Sequence, residues 1–486
     1  MSIIDLDLVE DHERFRSELA SITRDGRRRW IYARKPSGRF YRWRSVVAVI
    51  LLAFLFIAPH IKVNGHQFLL LNIIDRQFVF FGVPFWPNDF YLVVLLFLTA
   101  VISIVVFTAT LGRLWCGWLC PQTVFMEMIF RRIEWWIEGG PKEQAQRAAG
   151  PWTFDRTWRA VVKGAVFFGI SFAIANTFLA YVISSDTLRL YISDGPMAHG
   201  SLFVALVVFT LVFFAVFYRF REQACLIACP YGRYMSALVD QNTVAVTYDF
   251  KRGEQRSKWT KADNDAKRQI EARESFTRPQ GHGDCVDCHQ CVTVCPTGID
   301  IRNGIQLECV NCTACIDACD EVMDKVGLRR GLIRYTSATA VQQGRSTWLT
   351  TRIKAYLGVW LVMVTIVATL FALRGDLDVL IVRQSGSLWT TTADGVANFY
   401  NMQVINKSDD VRDITVAIAS PIGASLRMLG PITQVEPNAI AKGRLLVIVP
   451  DSVRSAENST VTLVVLSAGT EVTRTNVSFV APTKSK

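Results

Sequence analysis

At 486 residues the chain is too long for one ordinary domain. Its 51% hydrophobic content and mean hydropathy of +0.25 exceed what a soluble protein usually carries. A net charge of +11 would suit nucleic acid, anionic lipid or basic membrane loops. The positions of the basic residues favour the loops and leave no need for nucleic acid.

Residues 1–44 form a basic leading segment, with Arg27, Arg28, Arg29, Arg34, Lys35, Arg39, Arg42 and Arg44 crowded before the first apolar run. That run, Ser45 to Ile61, has no small-residue cleavage site behind it and reads as a retained helix, not a signal peptide. Four further runs follow at Phe90 to Leu111, Ala160 to Ile183, Ser201 to Phe220 and Ile353 to Leu373. Each approaches the ~20 apolar residues that cross a bilayer. Lys and Arg concentrate before the first run and between the second and third: Arg113, Arg131, Arg132, Lys142, Arg147, Arg156 and Arg159. The positive-inside rule therefore puts the N-terminus in the cytoplasm and, after five spans, the C-terminus outside.

The expected organisation is four spans over 45–220, a connecting region 221–280, a ferredoxin-type unit 281–330, a linker 331–352, the fifth span 353–373 and an outer domain 374–486. Within the connecting region, Lys251 to Arg278 reads as a solvated charged stretch. The tail has β-rich stretches at Asp378–Val382, Val411–Ala419, Arg444–Val449, Thr460–Leu466 and Val477–Val480 between turn formers. Such spacing predicts a small β-sandwich, immunoglobulin-like in plan.

All 12 Cys lie between Cys116 and Cys319. Eight form two runs: Cys285, Cys288, Cys291 and Cys295 before Pro296, then Cys309, Cys312, Cys315 and Cys319 before Asp320. A cubane cluster needs four converging thiolates, and x2 spacings let one tight loop supply three. The fourth Cys of each run ligates the other cluster in two-cluster ferredoxins. The expected sets are thus Cys285, Cys288, Cys291 and Cys319 for one [4Fe–4S] cluster, and Cys309, Cys312, Cys315 and Cys295 for the second. Paired zinc sites use x2 spacing too, but not this doubled three-plus-one pattern.

The other four Cys form two matching motifs, Cys116-Gly-Trp-Leu-Cys120-Pro121 and Cys225-Leu-Ile-Ala-Cys229-Pro230, each just after a second apolar run. The match suggests a duplicated helical hairpin. If the hairpins pack side by side, four thiols meet, able to hold Cu(I), an additional cluster or a redox-active disulfide. Buried Cys also serves as a small apolar residue. His60, His66 and His199, the last near Met197, read as interfacial or solvated; His12 carries no signal. His282 and His289 flank cluster ligands, where hydrogen bonds tune potentials. Trp115, Trp118, Trp135 and Trp136 read as an interfacial belt. No Gly-rich nucleotide fingerprint is present.

Trp115-Cys116-Gly117-Trp118-Leu119-Cys120-Pro121, Ala228-Cys229-Pro230-Tyr231-Gly232-Arg233, the eight-Cys insert and the β-rich tail occur in an order that resembles the FixG/RdxA family of cytochrome c oxidase accessory proteins (CcoG). The resemblance covers nearly the whole chain. It implies a multi-pass bacterial inner-membrane protein with a ferredoxin-like 2[4Fe–4S] insert and a periplasmic immunoglobulin-like domain. It also implies a cupric reductase, turning Cu(II) into Cu(I) for cbb3-type cytochrome c oxidase. The implied partners are oxidase assembly and copper-delivery proteins and a cytoplasmic electron donor, with a homo-oligomer left open. The reacting residues would be Cys116, Cys120, Cys225 and Cys229. Two rival readings remain: a quinol-linked ferredoxin conduit, and a non-enzymatic assembly scaffold or redox sensor.

Overall fold

The computed structural model describes residues 27–482, apart from 64, 74–76, 87–88, 270–277, 279–280, 307, 346–348, 385, 387–388, 409, 431 and 454–457. His12 and the first 26 residues of the basic segment lie outside the described residues. The chain forms two compact units, one mainly of residues 67–81 and 87–367 with the N-terminal part, the other mainly of 368–486.

Five helices are long and apolar enough to cross a membrane: Arg39–His60, Phe90–Leu111, Phe154–Ile183, Gly200–Phe220 and Thr351–Ala372. At 1.5 Å per residue each reaches the ~30 Å of a hydrocarbon core. Two start earlier than the apolar pattern indicates, because capping extends them. The Thr153 hydroxyl accepts from Arg156 N and begins the third helix at Phe154. The first begins at Arg39 because the Asp317 carboxylate, far along the chain, accepts from Phe40 N (3.1 Å) and Tyr41 N (2.7 Å). An acid at a helix N-terminus satisfies orphan donors and suits the dipole.

Phenylalanines fill the space between helices, with Phe130 stacked on Phe217 at 4.6 Å and tilted against Phe167 at 4.7 Å. Beside them lies a buried ionic group. Arg221 makes a bidentate pair with Glu134 (2.8 and 2.7 Å), and Arg131, 2% exposed, sits 3.3 Å from Glu127. Arg131, counted from sequence among the basic residues between the second and third spans, is buried between helices, where paired carboxylates offset its desolvation.

The insert is built on a two-stranded ribbon, Ala245–Tyr248 against Ile333–Thr336, with helix Ala314–Val326 packed over it. The stretch expected to be a solvated linker or helix contains a helix and is partly buried. Helix Lys261–Gln269 carries Asp263, whose carboxylate pairs at 3.2 Å with the fully buried Arg278 guanidinium. Arg278 also donates to the Gly283 carbonyl at 2.8 Å, which anchors the approach to the first cysteine run.

The C-terminal unit is an immunoglobulin-like β-sandwich. One sheet runs in the order Ser425–Leu429, Ile440–Val449, Gly395–Asn406, Leu377–Arg383, with Thr390–Thr392 also on the Gly395–Asn406 strand. The other runs Thr415–Ser420, Asn458–Ser467, Thr470–Val480. Tyr400, Val404, Leu445, Val447, Leu463, Val465 and Phe479 are wholly buried between them. The sheets are also tied by Tyr400 OH donating to Ser478 O at 2.9 Å and Asn398 Nδ2 to Val480 O at 2.8 Å. The central strand Gly395–Asn406 was not foreseen from sequence. Its Asn398, Asn401 and Asn406 interrupt the apolar pattern, and two of them, Asn398 and Asn406, are buried with hydrogen-bonded side chains.

Candidate metal centres

The two cysteine runs fold as near copies. In each, the middle Cys lies between two residues with left-handed backbone: Asp287 (φ 47°) and His289 (φ 55°) around Cys288, Asn311 (φ 52°) and Thr313 (φ 65°) around Cys312. Each such non-glycine residue costs about 1–2 kcal/mol. The reversals make each x2 loop curl around a point, and a helix, Gln290–Thr293 or Ala314–Val326, then brings in the third Cys.

Two cysteine-lined hollows of similar size result. Cys285, Cys288, Cys291 and Cys319 line the first, against Tyr248 and Leu332. Cys295, Cys309, Cys312 and Cys315 line the second, with Cys291 at its edge, against Val246 and Ile301. Each run thus sends its fourth Cys to the other run's hollow. Cys319 arrives inside helix Ala314–Val326, which explains why Asp320 stands where Pro was expected. A proline there would break the helix; Asp320 instead accepts from Gly331 N at 2.9 Å.

Burial pushes these thiols up, Cys291 and Cys309 to about 12 and Cys312 to about 11. A thiolate is stable in such surroundings only when a metal cation shares its charge. Among the described residues, no three His, Cys, Asp or Glu stand close enough to hold one metal ion. A mononuclear zinc site needs that closeness. A cubane does not, because each of its four irons takes its own thiolate. The residues present therefore fit [4Fe–4S] clusters. The His289 Nδ1 shares a 2.8 Å hydrogen bond with Arg302, and its Nε2 lies 3.3 Å from Asp287 Oδ1, so its ring braces the loop. His282 is half-buried.

The insert is docked on the helix ends. A Cβ on Gly117 would lie 2.5 Å from Val310 O and 2.8 Å from Asn311 O, so only glycine admits this approach of the Cys116–Cys120 motif to the second hollow's loop. Arg44, buried, donates from Nε to Gly117 O at 3.0 Å. Trp118 Nε1 reaches Tyr335 OH at 3.1 Å, and Tyr335 OH donates to Asn311 O at 3.0 Å. Trp118 is thus a docking residue and not part of a belt, and Trp135 is tied to Ala33 O at 3.1 Å. Trp136, 82% exposed, keeps a surface position. Cys116 packs against the apolar group of Val310, Cys312 and Ala314.

Cys116, Cys120, Cys225 and Cys229 lie within electrostatic reach of one another, and none is in a disulfide. Burial, aided by the neighbouring thiols and opposed by Arg113, pushes Cys116 and Cys225 up to about 12. The His199 ring lies 3.2 Å from Asp194 and over Tyr191, and Met197 is 97% exposed, so neither joins the thiols. The sequence reading took Arg44 and Arg113 only as basic loop residues and Gly117 only as part of a motif, and it passed over Asp317. The available signals were a glycine inside a Cys-x3-Cys motif and an acid between two cluster cysteines.

A sequence profile described as "4Fe-4S dicluster domain" matches residues 220–338, and one described as "4Fe-4S binding domain" matches 93–139. A third, an "IG-like fold at C-terminal of FixG", matches 367–482. Over 446 residues the chain is 32% identical to protein RdxB of Cereibacter sphaeroides, covering 88% of this chain and 90% of that one. It is 32% identical over 474 residues to the nitrogen fixation protein FixG of Rhizobium meliloti, covering 87% of each. The chain belongs to the FixG/RdxA family. RdxA of C. sphaeroides is 31% identical over 412 residues, 81% of this chain and 83% of RdxA. A crystal structure of a FixG-related protein from Vibrio parahaemolyticus aligns with 22% of this chain and 97% of its own, at 19% identity and a TM-score of 0.20. This FixG-family chain is therefore a membrane iron–sulfur protein with a redox role.

Proposed function

We propose that this FixG-family protein is a cupric reductase of the bacterial inner membrane that supplies Cu(I) for assembly of cbb3-type cytochrome c oxidase. One observation supports the reading above others: three four-thiol groups follow one another, with Cys291 lining both hollows and Cys116 packed against the apolar group that includes Cys312. Such a series suits stepwise one-electron traffic between a soluble donor and a site at the membrane. Cys285, Cys288, Cys291 and Cys319 would hold one cluster, and Cys295, Cys309, Cys312 and Cys315 the other. When bound, the clusters supply one-electron carriers of tunable potential. The substrate step is Cu(II) taking one electron to become Cu(I), matched by one-electron oxidation of a cytoplasmic donor protein. Copper would be reduced close to the group formed by Cys116, Cys120, Cys225 and Cys229, which follows the ends of the second and fourth spans.

The basic residues of 27–44 and of the 112–159 connection favour an N-terminus and insert in the cytoplasm, and five spans then carry the sandwich to the periplasm. The direct assay is reduction of Cu(II) as sole acceptor by the purified whole chain and a reduced donor. Turnover that disappears in Cys309→Ser supports the reading. Quinol oxidation without Cu(I) formation would point to a conduit, and no turnover with either to an assembly scaffold.

A further inference from the structure

The two Cys-x3-Cys-Pro motifs are copies in three dimensions. Four residues before each first Cys, the preceding helix stops at a left-handed residue, Gly112 (φ 59°, ψ −137°) or Arg221 (φ 55°, ψ −123°). The second Cys of each donates its N–H to a carbonyl five residues back, Cys120 N to Trp115 O and Cys229 N to Ala224 O, both 2.9 Å. Both second cysteines then turn to extended backbone, Cys120 (φ −61°, ψ 125°) and Cys229 (φ −74°, ψ 114°), before a proline that opens the next helix. The wide i→i+5 turn presents two thiols from a single loop twice over.

The copies are also fastened to each other. Tyr231, two residues after Cys229, shares a 2.7 Å hydrogen bond with Thr108. Arg113, buried three residues before Cys116, donates to Gly232 O. Gly232 itself is pressed on the first thiol's backbone, with a would-be Cβ only 2.3 Å from Cys225 O. The two pairs of thiols are thereby held within electrostatic reach of one another, with the Arg113 cation among their neighbours.

We infer that Cys116, Cys120, Cys225 and Cys229 together hold a third [4Fe–4S] cluster, shared between the two repeats. The donor set carries the inference. These four thiols lie within electrostatic reach of one another, yet among the described residues no three metal-ligating groups stand close enough to hold a single ion. That disfavours one copper or zinc and suits a cubane, whose corners each take one thiolate. Four thiolates on such a cluster leave net negative charge, which a buried guanidinium offsets. The "4Fe-4S binding domain" match over 93–139 includes only Cys116 and Cys120, half of a ligand set. The second repeat supplies the other half.

This deepens the electron-transfer reading without depending on its copper substrate. The test is iron and acid-labile sulfide per chain, with Mössbauer spectra, on the whole chain reconstituted anaerobically in detergent. Three cubanes correspond to about twelve irons and twelve sulfides, two to about eight of each. The parent should hold about twelve. Replacing the four motif cysteines by serine should remove about a third of the iron, and Gly232→Val should do the same without touching a thiol. A parent with about eight irons overturns the inference, whether the four thiols then carry copper or pair as disulfides. The parent count decides even where a variant fails to fold. It also stands apart from copper turnover, so loss of one reading does not entail loss of the other.

Discussion

The insert and the C-terminal sandwich are held together by opposite means. The sandwich closes on itself, with seven wholly buried side chains named above between its sheets and cross-sheet hydrogen bonds from Tyr400 and Asn398. The insert wraps cysteines around two hollows, keeps four non-glycine residues in left-handed backbone and buries the Asp263–Arg278 pair. The sandwich rests on an apolar core between its sheets, whereas the insert's apolar core is interleaved with cysteines placed to take inorganic clusters. The contrast teaches that the redox part should depend on its metal for stability while the β-unit should not.

The largest expected effect of that difference is metal removal. Anaerobic iron chelation should unfold residues around 281–330, because bound-metal free energy is folding free energy in such sites. Circular dichroism and limited proteolysis should show the insert cleaved while a fragment near 374–486 survives. Equal loss of both regions would erase the contrast. Next in size is Phe479→Ala, wholly buried in the sandwich. It should destabilise that unit by about 3–5 kcal/mol, read by thermal or urea unfolding of the unit's β signal. Cluster absorbance should stay unchanged.

Why part of this was legible from sequence follows from the kinds of signal involved. Five apolar runs and the x2, x3 cysteine spacing are local patterns, and each appears in the structure near its expected place. The strand Gly395–Asn406 was hidden because asparagines at its buried positions are satisfied by side-chain hydrogen bonds that no local pattern announces. The earlier start of the first helix was hidden too, since its capping acid, Asp317, lies 276 residues away from Tyr41. Gly117 resembles any loop glycine until the Val310 and Asn311 carbonyls are seen against it. Contacts between distant segments leave their mark only in the fold.

Two smaller effects sharpen the comparison inside the redox unit. Gly117→Val should push the Cys116 motif away from the Val310–Asn311 loop. About eight irons should remain in the insert, but electron transfer out of it should slow by about tenfold or more, measured by stopped-flow reoxidation. The slope with pH is the smallest effect. Burial alone would raise Asp263, but hydrogen bonds from Arg278 and Thr260 outweigh it and hold the carboxyl down at about 2. A depressed acid adds stability that is full above the ordinary carboxylate range and is lost as pH falls toward the folded value. The gap in unfolding midpoint between the parent and Asp263→Asn should therefore be constant from pH 7 to about 5 and shrink below about 4.

The claim on which the rest depends is that electrons pass from the cysteine-lined insert to copper. The most direct measurement mixes the anaerobically reduced whole chain with Cu(II) and follows cluster absorbance and Cu(I) formation together. The account predicts that the two traces move in step, one Cu(I) formed per electron lost, and that both vanish in Cys285→Ser or Cys309→Ser. Clusters that stay reduced in the presence of Cu(II), with no Cu(I) formed, would contradict it.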